Sequence, residues 1–126
     1  MKNFFCLIII TAFLTGCLFD SGSTTIVDDY TINWIDTEDT RSLSKREGLI
    51  GPYVFASGYN AKYVYAKQYP TLTNKSIVNY YIIERTNNIF QDKPVYGPMQ
   101  KIGFDTMCIK LNIIKPEFDI EYNSPY

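Results

Sequence analysis

The sequence predicts an α+β fold, with a small antiparallel β-sheet built as a hairpin and meander and one C-terminal helix packed on it in a single domain. Three observations lead there. Aromatic residues make up 16% of the chain, with 11 tyrosines and 8 phenylalanines, and together with many Ile and Val they suit a pleated, half-buried surface. Several stretches alternate in polarity between Gly, Pro and Asn turn signals. Near the C-terminus, one stretch instead repeats its apolar residues at helical spacing. An all-β fold is the alternative, because Thr106 to Ile114 also alternates.

The chain opens with Met1-Lys2-Asn3, a short positive segment, followed by an apolar run from Phe4 to Leu14 broken only by Thr11. That run has the length of a secretory h-region and falls short of the ~20 residues that cross a bilayer as a helix. It directs export and does not span. Leu14-Thr15-Gly16-Cys17 follows, an aliphatic residue and two small ones before a cysteine. This stretch resembles the lipobox of bacterial lipoprotein precursors. The resemblance implies cleavage between Gly16 and Cys17, with diacylglycerol on the Cys17 thiol, so that residues 1–16 are a signal peptide. It also implies a bacterial membrane location facing away from the cytoplasm, and Leu18 would favour the outer membrane in a Gram-negative host. Of the 3 cysteines, Cys6 leaves with the signal and Cys17 is consumed by lipid. Cys108 then remains alone, and the fold must hold without a disulfide.

Within the mature chain, residues 17–25 read as the lipidated cysteine and a flexible tether, since Asp20-Ser21-Gly22-Ser23-Thr24-Thr25 has linker composition. Residues 26–126 read as one globular domain. Ile26 to Asp36 alternates as a strand, with Trp34 in the core, and the polar run Thr37 to Glu47 reads as a solvated loop with one helical turn. Tyr53 to Ser57 and Tyr63 to Tyr69 form a hairpin joined by Gly58-Tyr59-Asn60-Ala61, and Pro70 ends the pairing. Ile77 to Arg85 is apolar on both faces, Tyr81 and Ile83 to one side, Tyr80 and Ile82 to the other. That pattern predicts a central strand covered twice, once by a helix. Val95-Tyr96 is a short further strand.

Gly97-Pro98 then opens the helix, which runs from Met99 to Leu111 with Phe104, Cys108 and Leu111 facing inward. Asn112 suits the left-handed position beyond its end, with Ile113 folding back. An edge strand at Phe118 to Tyr122 closes the chain. Tyr80-Tyr81-Ile82-Ile83, Val95-Tyr96-Gly97-Pro98-Met99 and Leu111-Asn112-Ile113 resemble a family of uncharacterised small bacterial envelope lipoproteins. The likeness covers residues 51 to 114 and carries no activity. Gly103 inside the helix departs from it, as does Asn112 where the family tends to have Gly.

Chemistry is signalled mainly by what is missing. Without histidine no Ser-His-Asp or Cys-His arrangement can be built, and there is no glycine-rich phosphate cradle or nucleophile elbow. No catalytic residue, cofactor or metal is expected. Asp28-Asp29 and the cluster Asp36, Glu38 and Asp39 lack the spacing of a calcium loop and read as solvated carboxylates. Cys108 reads as a core thiol. The mature charge, 11 Lys and Arg against 13 Asp and Glu, has no basic stripe and points away from nucleic acid.

Tyr63, Tyr65, Lys67 and Tyr69 share one strand parity. If exposed they form a candidate surface for an envelope protein or a glycan; the opposing reading packs that face beneath the helix or against the first strand. The expected function is therefore a membrane-held, non-catalytic binding or inhibitory module, with a structural component of an envelope complex as the alternative.

Overall fold

The structure, a computed structural model, describes residues 20–88 and 94–122. The signal segment, the lipobox and Cys17 lie outside the described residues. Nine strands form two antiparallel sheets among these residues. The N-terminal sheet is a meander of β1 (Ser21–Val27), β2 (Tyr30–Ile35), β3 (Ser42–Lys45) and β4 (Glu47–Ile50). The central sheet holds β5 (Val54–Tyr59), β6 (Tyr63–Gln68), β7 (Asn79–Glu84), β8 (Val95–Met99) and β9 (Ile120–Glu121), in the order β8-β7-β6-β5-β9. One helix, α1, spans Lys101–Lys110.

The layers follow from strand parity. Val64, Ala66 and Ile83 of the central sheet face Ile26, Tyr30, Ile32, Leu43 and Ile50 of the N-terminal sheet in one core. Tyr65 and Ile82 point the other way and meet Phe104 and Cys108 of α1, and Ile113. β7 is thus covered on both faces, with α1 on one of them, as its apolar residues at both parities require. α1 ends in a Schellman motif. Asn112 takes φ 58, Ile113 N–H donates to the Cys108 carbonyl at 2.8 Å and Asn112 N–H to that of Ile109 at 3.2 Å. The buried Ile113 is the hydrophobic partner of that cap.

Several expectations are corrected. The tether is shorter than predicted, because Ser21 to Thr25 pair with β2 from Ser21↔Ile35 to Thr25↔Thr31. Linker composition does not prevent pairing where a strand partner with a complementary edge lies two residues beyond. The single strand Ile26–Asp36 is two strands around a turn at Asp28-Asp29, with Asp28 at φ 50. Trp34 is half-buried and outside the core. It lies across Gly22, where a Cβ would meet its indole Nε1 at 2.2 Å.

The polar run Thr37 to Glu47 does contain a single 3₁₀ turn, Glu38–Thr40, but its second half is β3 and the start of β4. Only Leu43 there turns inward, since the sheet's other face meets water. The β5–β6 loop starts at Asn60, whose Oδ1 accepts from Lys62 N–H at 2.9 Å and Tyr63 N–H at 2.8 Å. Gly58 is instead a buried strand residue with the Glu117 carbonyl 1.9 Å from where a Cβ would sit. Gly97-Pro98 is a cis peptide inside β8, and α1 starts only after the Gln100 N-cap. The C-terminal edge strand is limited to two residues.

Candidate functional site

The tyrosines of β6 do not form one exposed strip. Tyr65 is 3% exposed beneath α1 and the C-terminal segment, and its hydroxyl accepts from Glu117 N–H at 3.3 Å. Tyr63 is half-buried against the same cluster, and Lys67 Nζ lies 4.3 Å from the centroid of the Phe118 ring. Tyr69, beyond the end of β6, stacks on Phe55 with ring centroids 4.0 Å apart. The reason is the C-terminal segment, which returns across β5 and β6 and covers a face that strand parity alone leaves open.

A shallow concavity lies one step further along the same strands. Tyr53, Phe55, Tyr69, Leu72 and Tyr122 line this open cleft together with Arg41, Lys75 and Asp39. Each part has a local cause. Tyr69 N–H donates to the Tyr53 carbonyl at 3.1 Å and so closes the open end of the β5–β6 hairpin. Tyr122 N–H donates to the Phe55 carbonyl at 2.7 Å, extending the β5–β9 pairing by one residue.

The Arg41 guanidinium stacks 4.1 Å from the centroid of the Tyr122 ring and pairs with Glu38 at 3.3 Å. Its backbone carbonyl accepts from Val54 N–H at 3.0 Å, tying the two sheets together here. Tyr53 sits at φ 76, a conformation that costs a bulky residue of order 1–3 kcal/mol and persists only where surroundings enforce it. Phe55 and Tyr69 stack on each other, Arg41 covers one face of Tyr122 and Lys75 Nζ lies 6.0 Å from the Tyr69 ring centroid, so the cleft presents an aromatic surface whose rings are already partly engaged by cations and by one another.

Cys108 is the one free thiol among the described residues and is buried. Burial, and to a smaller degree the charge of Asp105, push its pKa up from 9.0, which disfavours the nucleophilic thiolate. Asp28 and Asp29 form the β1–β2 turn, and Asp28 bridges to Arg85 at 2.7 Å. Among the described residues, no group of three or more His, Cys, Asp or Glu side chains converges as a metal site would. Sequence reasoning missed the cleft because its residues come from four separate segments. The one available signal was the unusual run of aromatics at 53, 55 and 69.

No curated protein and no solved structure matches this chain. A family model described as a protein of unknown function, DUF3997, matches residues 24–123, from within β1 to just past β9. Because that match covers most of the 126-residue chain, the chain belongs to this family of proteins of unknown function.

Proposed function

We propose that this is a lipid-anchored bacterial envelope protein that acts by binding rather than by catalysis. The observation that carries the reading is the run from Phe4 through Leu14-Thr15-Gly16-Cys17 directly into the fold, whose first strand begins four residues after the cysteine. An export segment of this length supports secretion, and a lipobox cysteine supports acylation there. Two or three acyl chains retain a protein at a membrane far longer than one. The aromatic cleft is the surface that such a module offers.

Metabolic labelling with an alkyne-tagged fatty acid, followed by mass spectrometry of the N-terminal peptide, tests the anchor. The expected result is a mature chain beginning at acylated Cys17. Cys17→Ser should abolish the label and leave an unprocessed precursor. A native chain that retains Met1, or is cut elsewhere without fatty acid, overturns the proposal.

A further inference from the structure

The strand register assigns the two ends of the sandwich different roles. β1 turns at Asp28, and Asp28 bridges to Arg85 just beyond the last residue of β7. Ser21 therefore lies at the opposite end, where Gln68 pairs with Asn79 and Met99 with Tyr80. The Arg41–Val54 hydrogen bond joins the two sheets at that same end. The loop between β6 and β7 and the first turn of α1 therefore belong to the same end of the molecule as the start of β1, with α1 on the face of the central sheet turned away from β1.

Leu72 is 40%, Ile77 49% and Ile102 81% exposed at this end; Tyr59, Val95, Ile109 and Ile114 are also exposed, so what singles this end out is that its aliphatics lie where the chain from Cys17 enters the fold. Ile77, Val78, Gln100 and Lys101 line a common depression, which confirms that the loop and the helix start are neighbours. Lys75 and Lys101 stand among them, and the aromatic cleft opens at the same end. The opposite end carries charged Asp28, Asp29, Arg46 and Lys62.

We infer that the sandwich end bearing Leu72, Ile77 and Ile102 rests in the interface of the bilayer that holds the acyl chains of Cys17. This rests on the lipid-anchor reading above. Chain length decides the direction, because the three residues from Cys17 to Asp20 span at most about 10 Å. The bilayer surface therefore lies within that distance of the end where β1 begins. Exposed aliphatics gain by leaving water there, and tyrosines and lysines suit the headgroup level, where ring and stem stay apolar and the polar tip stays wet.

The acidic residues Asp36, Glu38 and Asp39 gather on the N-terminal-sheet side of this end, whereas Lys75 and Lys101 belong to the central-sheet side. Leu72, Ile77 and Ile102 also belong to the central-sheet side, and their burial makes the domain lean with its central-sheet loops toward lipid. With carboxylates and cations both present, contact is driven by apolar burial and not by lipid charge. A second copy is a poorer occupant, because it could cover this end only where the bilayer already stands.

The test uses the full mature lipoprotein, reconstituted in phosphatidylcholine vesicles that contain nitroxide-bearing lipid. A single environment-sensitive fluorophore is placed at Ile77→Cys, at Ile102→Cys or, at the far end, at Ala61→Cys; buried Cys108 remains unlabelled in the native fold. Severalfold stronger quenching at 77 and 102 than at 61, unchanged by added salt, is the expected result. Leu72→Ser together with Ile77→Ser should weaken quenching at 102 while thermal stability holds, since both residues are exposed.

Equal quenching at all three positions on vesicles that carry the protein overturns the inference and leaves the anchor intact. Protection of 77 and 102 only when envelope proteins are added overturns it in favour of a protein partner. Absence of fatty acid on Cys17, read separately by mass, overturns the anchor and this inference with it.

Discussion

Burial raises the proton affinity of Tyr30, Tyr65 and Tyr81 above the ordinary value of 10.0, with desolvation the largest cause for each. The sign of the linked stability follows directly. Below pH 10 both folded and unfolded tyrosines are neutral and nothing is lost. As the pH rises further, the unfolded chain releases these protons before the folded one, so stability falls until the folded groups ionise. Alkaline titration followed by tyrosinate absorbance should show a late group of tyrosines ionising together with loss of fold. Smooth titration of all tyrosines near 10 in a folded chain would contradict it.

The same burial should make Cys108 unreactive toward a water-soluble disulfide reagent until the protein unfolds. Cys108→Ala should cost roughly 1 kcal/mol by thermal or denaturant unfolding and leave lipidation intact. At this scale Asn112 and Ile113 were legible in the sequence, since a left-handed cap depends on neighbours a turn away. Trp34 was not, because Gly22 becomes its seat only once β1 pairs with β2.

Among elements, α1 and β7 were the most readable and β3 and β4 the least. β7 shows apolar residues at both parities because both of its faces are covered. β3 carries only Leu43 inward, so Ser42-Leu43-Ser44-Lys45 looks like loop when read alone. The start of α1 was misplaced by assigning Pro98 to its first turn; that residue continues β8 through Met99, which pairs with Tyr80.

Gly103 lies within α1, and a Cβ there would meet only the Met99 Cβ at 3.4 Å, an ordinary contact. Gly103→Ala should therefore stabilise the protein by about 0.5–1 kcal/mol through helix propensity, measured as a higher urea midpoint at unchanged slope. A lower midpoint would mean that Met99 cannot yield.

For the molecule as a whole, the C-terminal segment is the piece that completes the fold. It leaves α1 at Asn112, covers Tyr65 with Phe118 (ring centroids 5.3 Å apart) and returns to β5 as β9. Its closest approach is over Gly58, where a Cβ would meet the Glu117 carbonyl at 1.9 Å and the Tyr65 ring at 2.7 Å. Gly58→Ala should cost about 1–3 kcal/mol of overpacking and expose the segment after Asn112 to protease, read by limited proteolysis with mass analysis. Unchanged proteolysis would place the segment's hold elsewhere.

By itself the sequence determined the elements whose physics is local: the strands β6 and β7, the helical spacing and cap of α1, and the turn at Asn60. It also set out the export and lipobox pattern from which the anchor is proposed. Tertiary structure decided which faces those elements spend on one another. Tyr65 is buried because a segment about fifty residues later folds over it, and the aromatic cleft exists only where four separate stretches converge. Contacts between such distant residues leave no period in the chain, since each partner's pattern is satisfied equally well by water, by a helix or by a second sheet until packing selects one.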